Sequence, residues 1–63
     1  PLSAREIEVL GLFAAGLTNA TIAHRLFVSP NTVKRYAKNL YRKLDVHSRS
    51  EAISKGYELN LLS

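Results

Sequence analysis

Residues 18–44 read TNATIAHRLFVSPNTVKRYAKNLYRKL, and two helix starts can be placed within them. Thr18 is a typical N-cap residue, since its hydroxyl can accept a hydrogen bond from a backbone N–H in the first turn. Ser29 is a second N-cap and is followed by Pro30 at the first helical position, where a missing backbone N–H costs nothing. The stretch therefore predicts a short helix, a tight turn and a longer helix, with the helices over about residues 19–26 and 30–44.

The segments on either side also carry helix signals. Both begin with a capping box, in which a Ser and a Glu side chain each accept from the other residue's backbone N–H: Ser3 with Glu6, and Ser48 with Glu51. We expect a first helix over about 4–15, ended by a left-handed Gly16, and a fourth helix that ends at about Leu59. No alternating strand pattern, linker or internal repeat is present. The sequence thus predicts an all-α fold for residues 1–63, a single-domain four-helix bundle whose second and third helices form a helix-turn-helix.

The composition excludes several classes of protein. The 63 residues include no Cys, which excludes disulfides and thiolate metal sites, and two His are too few for a structural zinc site. No apolar run is long enough to span a membrane, and no signal peptide is visible. Because the chain does not begin with Met, we expect an excised domain of a longer protein. No cofactor and no metal are predicted.

The positive charge is concentrated in the middle of the chain. The formal net charge is +4, but residues 25–49 hold seven Lys or Arg against Asp45 alone, a net of +6. At helical spacing, the basic side chains of the third helix lie opposite its apolar stripe: Lys34, Arg35, Lys38 and Arg42 opposite Val33, Ala37, Leu40 and Leu44. A solvated face that happens to be basic is one interpretation of this pattern. The short helix and turn that precede the third helix favour a different interpretation of its basic face.

A short helix, a tight turn and a longer helix with an outward polar face form a helix-turn-helix unit. Its packing needs a small residue between the helices, here Ala23, together with apolar residues at Ile22, Leu26, Val28 and Val33. Phe27 lies in the turn, where many such units have Gly, and we expect it to point outward in an αR or β conformation. In this unit the second helix enters the major groove of DNA, N-terminal end first.

Four motifs follow one another along the chain: LS-x-RE-x-EVL, A-x-G-L-T-N-x-x-IA-x-x-L, S-x-x-TVK and KL-x-V-x-SR-x-x-A. With them the sequence resembles the LuxR-type (GerE-like) helix-turn-helix domain of bacterial transcription regulators over almost its whole length. The stretch from Thr32 to Leu62 is most similar to the C-terminal domain of maltose-regulator-type ATP-dependent activators. Tyr36 stands where His is usual there, and Asn60 stands where many relatives have Gly.

The resemblance implies sequence-specific binding of double-stranded DNA, with the helix over about 30–44 as the recognition helix. Lys34, Arg35 and Lys38 would reach base edges. Because Arg can bond guanine in a bidentate pair, our hypothesis is that Arg35 helps to set sequence preference. Phosphate contacts are expected from nine residues: Thr18, Asn19, Ser29, Asn31, Thr32, Tyr36, Arg42, Lys43 and Arg49.

Competing explanations exist for several of these residues. Helix capping alone accounts for Thr18 and Ser29. Arg49 could instead form a structural ion pair with Glu6 or Glu51.

The fourth helix carries more apolar surface than one side of a short helix needs. In the resembled family this helix mediates dimerisation, which implies a dimer interface at Ser50, Ser54 and Tyr57. The implied partners are double-stranded DNA, a second copy of the chain on DNA, and RNA polymerase, with no membrane and no small molecule for this fragment. The implied location is the bacterial cytoplasm, at the nucleoid.

Catalysis is not predicted. Glu6 is explained by its capping box and Glu8 lies on a helix without a cleft signal. No phosphate-binding loop or nucleophile motif is present.

Two other functions remain as alternatives. A helical adaptor would use the basic face on an acidic protein, and a nucleic-acid enzyme subunit would need clustered carboxylates for Mg²⁺.

Overall fold

The computed structural model describes residues 1–62. Within that range the chain forms four α-helices: α1 (Ala4–Ala14), α2 (Asn19–Leu26), α3 (Pro30–Leu44) and α4 (Arg49–Glu58). This confirms the all-α prediction. The first and fourth helices each end one residue before the predicted position, with Ala15 and Leu59 as C-caps.

The helix starts follow the predicted caps. Ser3 Oγ accepts from the Glu6 N–H at 3.1 Å and Glu6 Oε1 accepts from the Ser3 N–H at 2.9 Å, which completes the first capping box. The second box is only half formed. Ser48 Oγ accepts from the Glu51 N–H at 3.2 Å, but Glu51 Oε1 accepts from the N–H of His47, not from that of Ser48. The Glu51 half of that prediction was wrong.

Residues in the left-handed region follow all four helices. Gly16 has φ of 86° after α1, as predicted, and three residues with side chains adopt the same region elsewhere: Phe27 (59°), Asp45 (56°) and Asn60 (60°). The expected αR or β conformation of Phe27 was therefore wrong, whereas its outward orientation was right, since it is 94% exposed. The left-handed residue lets the next N–H return to the helix, as Val28 N–H does to the Ala23 carbonyl at 3.0 Å.

The core lies where α1, α3 and α4 meet, and α2 packs against α3. Six side chains from the first three helices fill its centre: Val9, Leu10, Phe13, Ile22, Val33 and Leu40. Gly56 allows α4 to approach α1 closely, because a Cβ there would lie 2.9 Å from Leu10 Cδ2. This packing buries one side of α3 and turns its other side to solvent.

Candidate nucleic-acid interface

The third helix has two chemically distinct faces. Val33, Ala37, Leu40 and Leu44 are buried, as their helical spacing predicts. The basic side chains on the rest of the helix circumference are exposed: Lys34, Arg35, Lys38, Arg42 and Lys43. The three predicted base-contacting residues therefore lie together on the open surface of one rigid helix.

We define the basic face of α3 as the side chains of Lys34, Arg35, Lys38 and Arg42. Its charge is not neutralised by ion pairs among the described residues. The ion pairs found within residues 1–62 join Arg5 to Glu8, Lys43 to Glu6 and Lys55 to Glu58. None of these pairs involves the basic face. Its positive potential is thus available to an anionic partner.

Thr18 and Ser29 have their hydroxyl groups committed to helix capping. Thr18 Oγ1 accepts from the Thr21 N–H at 3.2 Å and donates to Thr21 Oγ1 at 3.0 Å. Ser29 Oγ accepts from the Thr32 N–H at 3.2 Å and lies 3.0 Å from Thr32 Oγ1. The capping explanation is confirmed for both residues, and the hydroxyl of Thr32 is part of the second cap.

The other predicted phosphate contacts on α3 differ in exposure. Asn31 and Arg42 are exposed, near the start and the end of the helix. Tyr36 is half-buried and its ring packs against the core. The helix thus offers charged and polar groups along its whole length.

Lys43 makes a contact that its predicted role did not include. Its Nζ donates to Glu6 Oε1 at 2.9 Å, and the Glu6 side chain is almost fully buried. The hydrogen bond from the Ser3 backbone, together with that from Lys43, holds the pKa of the Glu6 carboxyl below its ordinary value. The ion pair ties α3 to α1, and it competes with any phosphate contact that Lys43 could make.

Arg49 lies among protein acceptors. Its Nη1 donates to the Leu17 carbonyl, its Nη2 donates to Asn19 Oδ1 at 2.9 Å, and its guanidinium lies 4.1 Å from the centre of the Phe13 ring. The predicted structural alternatives, an ion pair with Glu6 or Glu51, were wrong. Sequence reasoning missed these partners because they lie 30 or more residues away in the chain. No local pattern could have indicated them.

Ser50, Ser54 and Tyr57, the predicted dimer interface, lie on an exposed face of α4, as their helical spacing requires. Tyr57 is 50% exposed, and Leu59 is exposed nearby. The two serines are small, which would let another helix approach closely.

Among residues 1–62, no group of three or more His, Asp or Glu could hold a metal ion. None of the helices in that range is long and apolar enough to cross a membrane.

Comparison with curated proteins gives relatives that are far longer than this chain. It is 44% identical over 59 residues, or 94% of its length, to the HTH-type transcriptional regulator MalT of Vibrio cholerae. It is 47% identical over 53 residues, or 84% of its length, to the MalT regulator of Vibrio campbellii. In both cases the chain spans only 6% of the relative's length.

Solved structures share the fold. The response regulator ChrA of a heme-sensing two-component system superposes with a TM-score of 0.95 at 42% identity, covering 98% of this chain and 31% of ChrA. The transcription factor GerE superposes with a TM-score of 0.92 at 34% identity, covering 98% of this chain and 92% of GerE. The family of bacterial regulatory proteins called the luxR family matches residues 1–55. The four-helix fold, the exposed basic helix and these matches agree, and the chain belongs to the luxR family as a helix-turn-helix DNA-binding domain of transcription regulators.

Proposed function

We propose that this domain recognises a specific double-stranded DNA sequence by inserting α3 into the major groove. The observation that carries this proposal is the basic face of α3, which is exposed, free of intramolecular ion pairs among the described residues, and opposite the helix's buried stripe. A helix of this kind fits the major groove, where base edges are distinguishable.

Lys34, Arg35 and Lys38 are the proposed base-contacting residues. Arg35 has the most specific chemistry, because its guanidinium can donate to guanine O6 and N7 together, which discriminates by about 1–3 kcal/mol. Lys34 and Lys38 are single-point donors that accept more varied partners. We therefore assign the main sequence preference to Arg35.

Phosphate contacts are proposed from the two helix starts and from Arg42. The first turns of α2 and α3 present backbone N–H groups at the positive end of the helix dipole, near Thr18, Ser29 and Thr32. Asn19, Asn31 and Tyr36 add polar side chains. Lys43 is a weaker candidate, since its ammonium group would have to leave the buried Glu6 carboxylate.

Dimerisation through the exposed face of α4 completes the proposal. Ser50, Ser54 and Tyr57 would meet their copies across a two-fold axis, which would place two recognition helices on half-sites about 34–36 Å apart. The domain would be the C-terminal output domain of a larger bacterial regulator at the nucleoid, with RNA polymerase as a further partner and no catalytic step of its own. The MalT relatives, of which the matching region is a small part, support the place of such a domain within a larger regulator.

The central test selects bound duplexes from a random pool and then measures affinity for the selected and a scrambled duplex. The Arg35→Ala variant should lose most of the preference for the selected duplex, by about ten- to a hundredfold. Arg5→Ala, on α1 and paired with Glu8, is the matched control and should bind as the unmodified domain does. Equal losses on both duplexes would remove Arg35 from base recognition.

A helical adaptor for an acidic protein remains the competing function. It predicts no salt-dependent affinity for random duplex DNA, whereas counterion release predicts a steep dependence. One salt titration with random duplex separates the two functions.

A further inference from the structure

We infer that Arg49 contributes to DNA binding as a positioning residue, by orienting the Asn19 side chain so that Asn19 Nδ2 donates to a DNA phosphate. This inference rests on the proposed function. It replaces the expectation that Arg49 itself contacts phosphate.

The guanidinium of Arg49 is held at three places. Nη1 donates to the Leu17 carbonyl, Nη2 donates to Asn19 Oδ1 at 2.9 Å, and the Phe13 ring lies under its face with 4.1 Å to the ring centre. Phe13 is buried and is part of the core. The group is therefore fixed relative to the rigid part of the fold, both in its plane and perpendicular to it.

The chemistry of these groups determines the orientation of the Asn19 carboxamide. An Arg side chain has only donors, so the carboxamide atom that faces it must be the acceptor Oδ1. The two Nδ2 protons are then on the side of the carboxamide away from Arg49. Without Arg49, the Asn19 carboxamide could rotate, and either Oδ1 or Nδ2 could face a ligand.

The place of Asn19 in the fold makes these protons useful. Asn19 is the first residue of α2, next to the N-cap Thr18, where the helix dipole favours an anion. The Thr18 hydroxyl donates its proton to Thr21, so it is not offered to a phosphate. Arg49 orients the Asn19 side chain through Oδ1 and makes no hydrogen bond to Nδ2. Asn19 Nδ2 therefore remains a donor at this helix start.

A substitution of Arg49 by Lys separates positioning from direct contact. Lys keeps the positive charge and binds phosphate as a point charge, but it lacks the planar fork that serves two acceptors together. If Arg49 contacts phosphate directly, R49K should retain affinity within about twofold and keep the salt dependence. If Arg49 positions Asn19, R49K should bind duplex DNA about tenfold more weakly, the factor expected for one hydrogen bond to a charged group.

A substitution of Asn19 by Asp provides a second test in which the fold is preserved. The new carboxylate would still accept from Arg49 and would lie at a helix start that favours acids. It has no N–H donors and repels phosphate. N19D should therefore keep the thermal unfolding midpoint and lose at least about tenfold in duplex affinity. N19D that binds DNA as tightly as the unmodified domain would overturn the inference.

Duplex titration of the unmodified, ¹⁵N-labelled domain tests the geometry directly by NMR. The Asn19 Nδ2 protons should shift strongly, whereas the Arg49 Nε proton should shift little. If the α3 resonances shift and the Asn19 side-chain resonances do not, the inference fails while the proposed function stands. If no resonance of α3 shifts, the proposed function fails, and this inference fails with it.

Discussion

Phe27 illustrates how a single residue can conflict with its local backbone. It has φ of 59° at the end of α2, a region in which a Cβ costs about 1–2 kcal/mol. The side chain is 94% exposed, so packing within the domain does not compensate for this cost. The turn favours this conformation, because it allows Val28 N–H to reach the Ala23 carbonyl at the end of α2.

Replacement of Phe27 by Gly should stabilise the domain. Gly adopts the left-handed region without a steric cost, so we expect a gain of about 0.5–1 kcal/mol in the free energy of unfolding. For a domain of this size that gain corresponds to an increase of several degrees, up to about 8 °C, in Tm. Thermal unfolding followed by circular dichroism would measure it. Phe27→Ala is the control, since it removes the ring but keeps the Cβ, and it should change Tm little; an equal increase for Ala would show that the ring, not the backbone, is unfavourable.

Glu6 should make the stability depend on pH. Its folded-state pKa is lowered by hydrogen bonds from the Ser3 backbone and Lys43. A lowered folded-state pKa means that the carboxylate contributes stability above the unfolded-state pKa, and that this contribution is lost as the pH falls through the folded-state value.

Glu6→Gln should consequently lower the free energy of unfolding at pH 7 by about 1–3 kcal/mol, since Lys43 loses a charged partner. The difference between the two proteins should shrink steadily below about pH 4, the range in which an ordinary Glu takes up its proton. Urea unfolding at several pH values measures this difference. Glu8→Gln, at an exposed position on the same helix, should show little difference at any pH. A Glu6→Gln deficit that persists unchanged at pH 3 would contradict the ion-pair explanation.

At the scale of elements, the caps and the faces of the helices could be predicted from the sequence, because both depend on neighbours in the chain. Ser3, Thr18 and Ser29 bond to N–H groups three residues ahead, and the α3 stripe repeats every three or four residues. Contacts between elements could not be predicted. Lys43 and Glu6 are 37 residues apart in the sequence, and nothing local to either residue selects the other.

The Arg49 contacts could not be predicted for the same reason. The sequence singled out Arg49 as a residue of interest, but its partners depend on how α4 meets the start of α2. The prediction of the Phe27 conformation was wrong for a different reason. The geometry of the turn overrides the preference of a residue with a side chain for regions of negative φ.

The contact between α1 and α4 predicts opposite effects on stability for Ala substitutions at Gly56 and Gly11. A Cβ at Gly56 would lie 2.8 Å from Leu62 Cδ1 and 2.9 Å from Leu10 Cδ2, whereas a Cβ at Gly11 would meet nothing within 4 Å. Leu10 is fully buried and cannot move away freely. Gly56→Ala should therefore lower stability by about 1–2 kcal/mol through overpacking. Gly11→Ala should raise it by about 0.5–1 kcal/mol, because Ala is the better helix former.

Urea unfolding of both variants, compared with the unmodified domain, gives the result. Opposite signs are the expected outcome. Stabilisation by both substitutions would show that α4 can separate from α1 without cost, and that Gly56 does not determine the packing.

At the scale of the whole molecule, the location of charge matters more than its sum. The domain has a net charge of only +4. Among residues 1–62, the basic face of α3 takes part in no ion pair, whereas Arg5 and Lys55 pair with acids elsewhere. Affinity for DNA should thus respond to where a charge is removed.

Arg42→Gln and Arg5→Gln test this directly, because each removes one positive charge from an exposed helical position. Arg42 lies on the basic face and should contact phosphate, so its removal should reduce the slope of log affinity against log salt concentration by about 0.9. Arg5 lies on α1, 3.3 Å from Glu8, and its removal should leave the slope unchanged. Binding to a random duplex across a series of salt concentrations gives both slopes. An equal reduction for the two variants would mean that the domain attracts DNA through its total charge, and the basic face of α3 would then have no special part in binding.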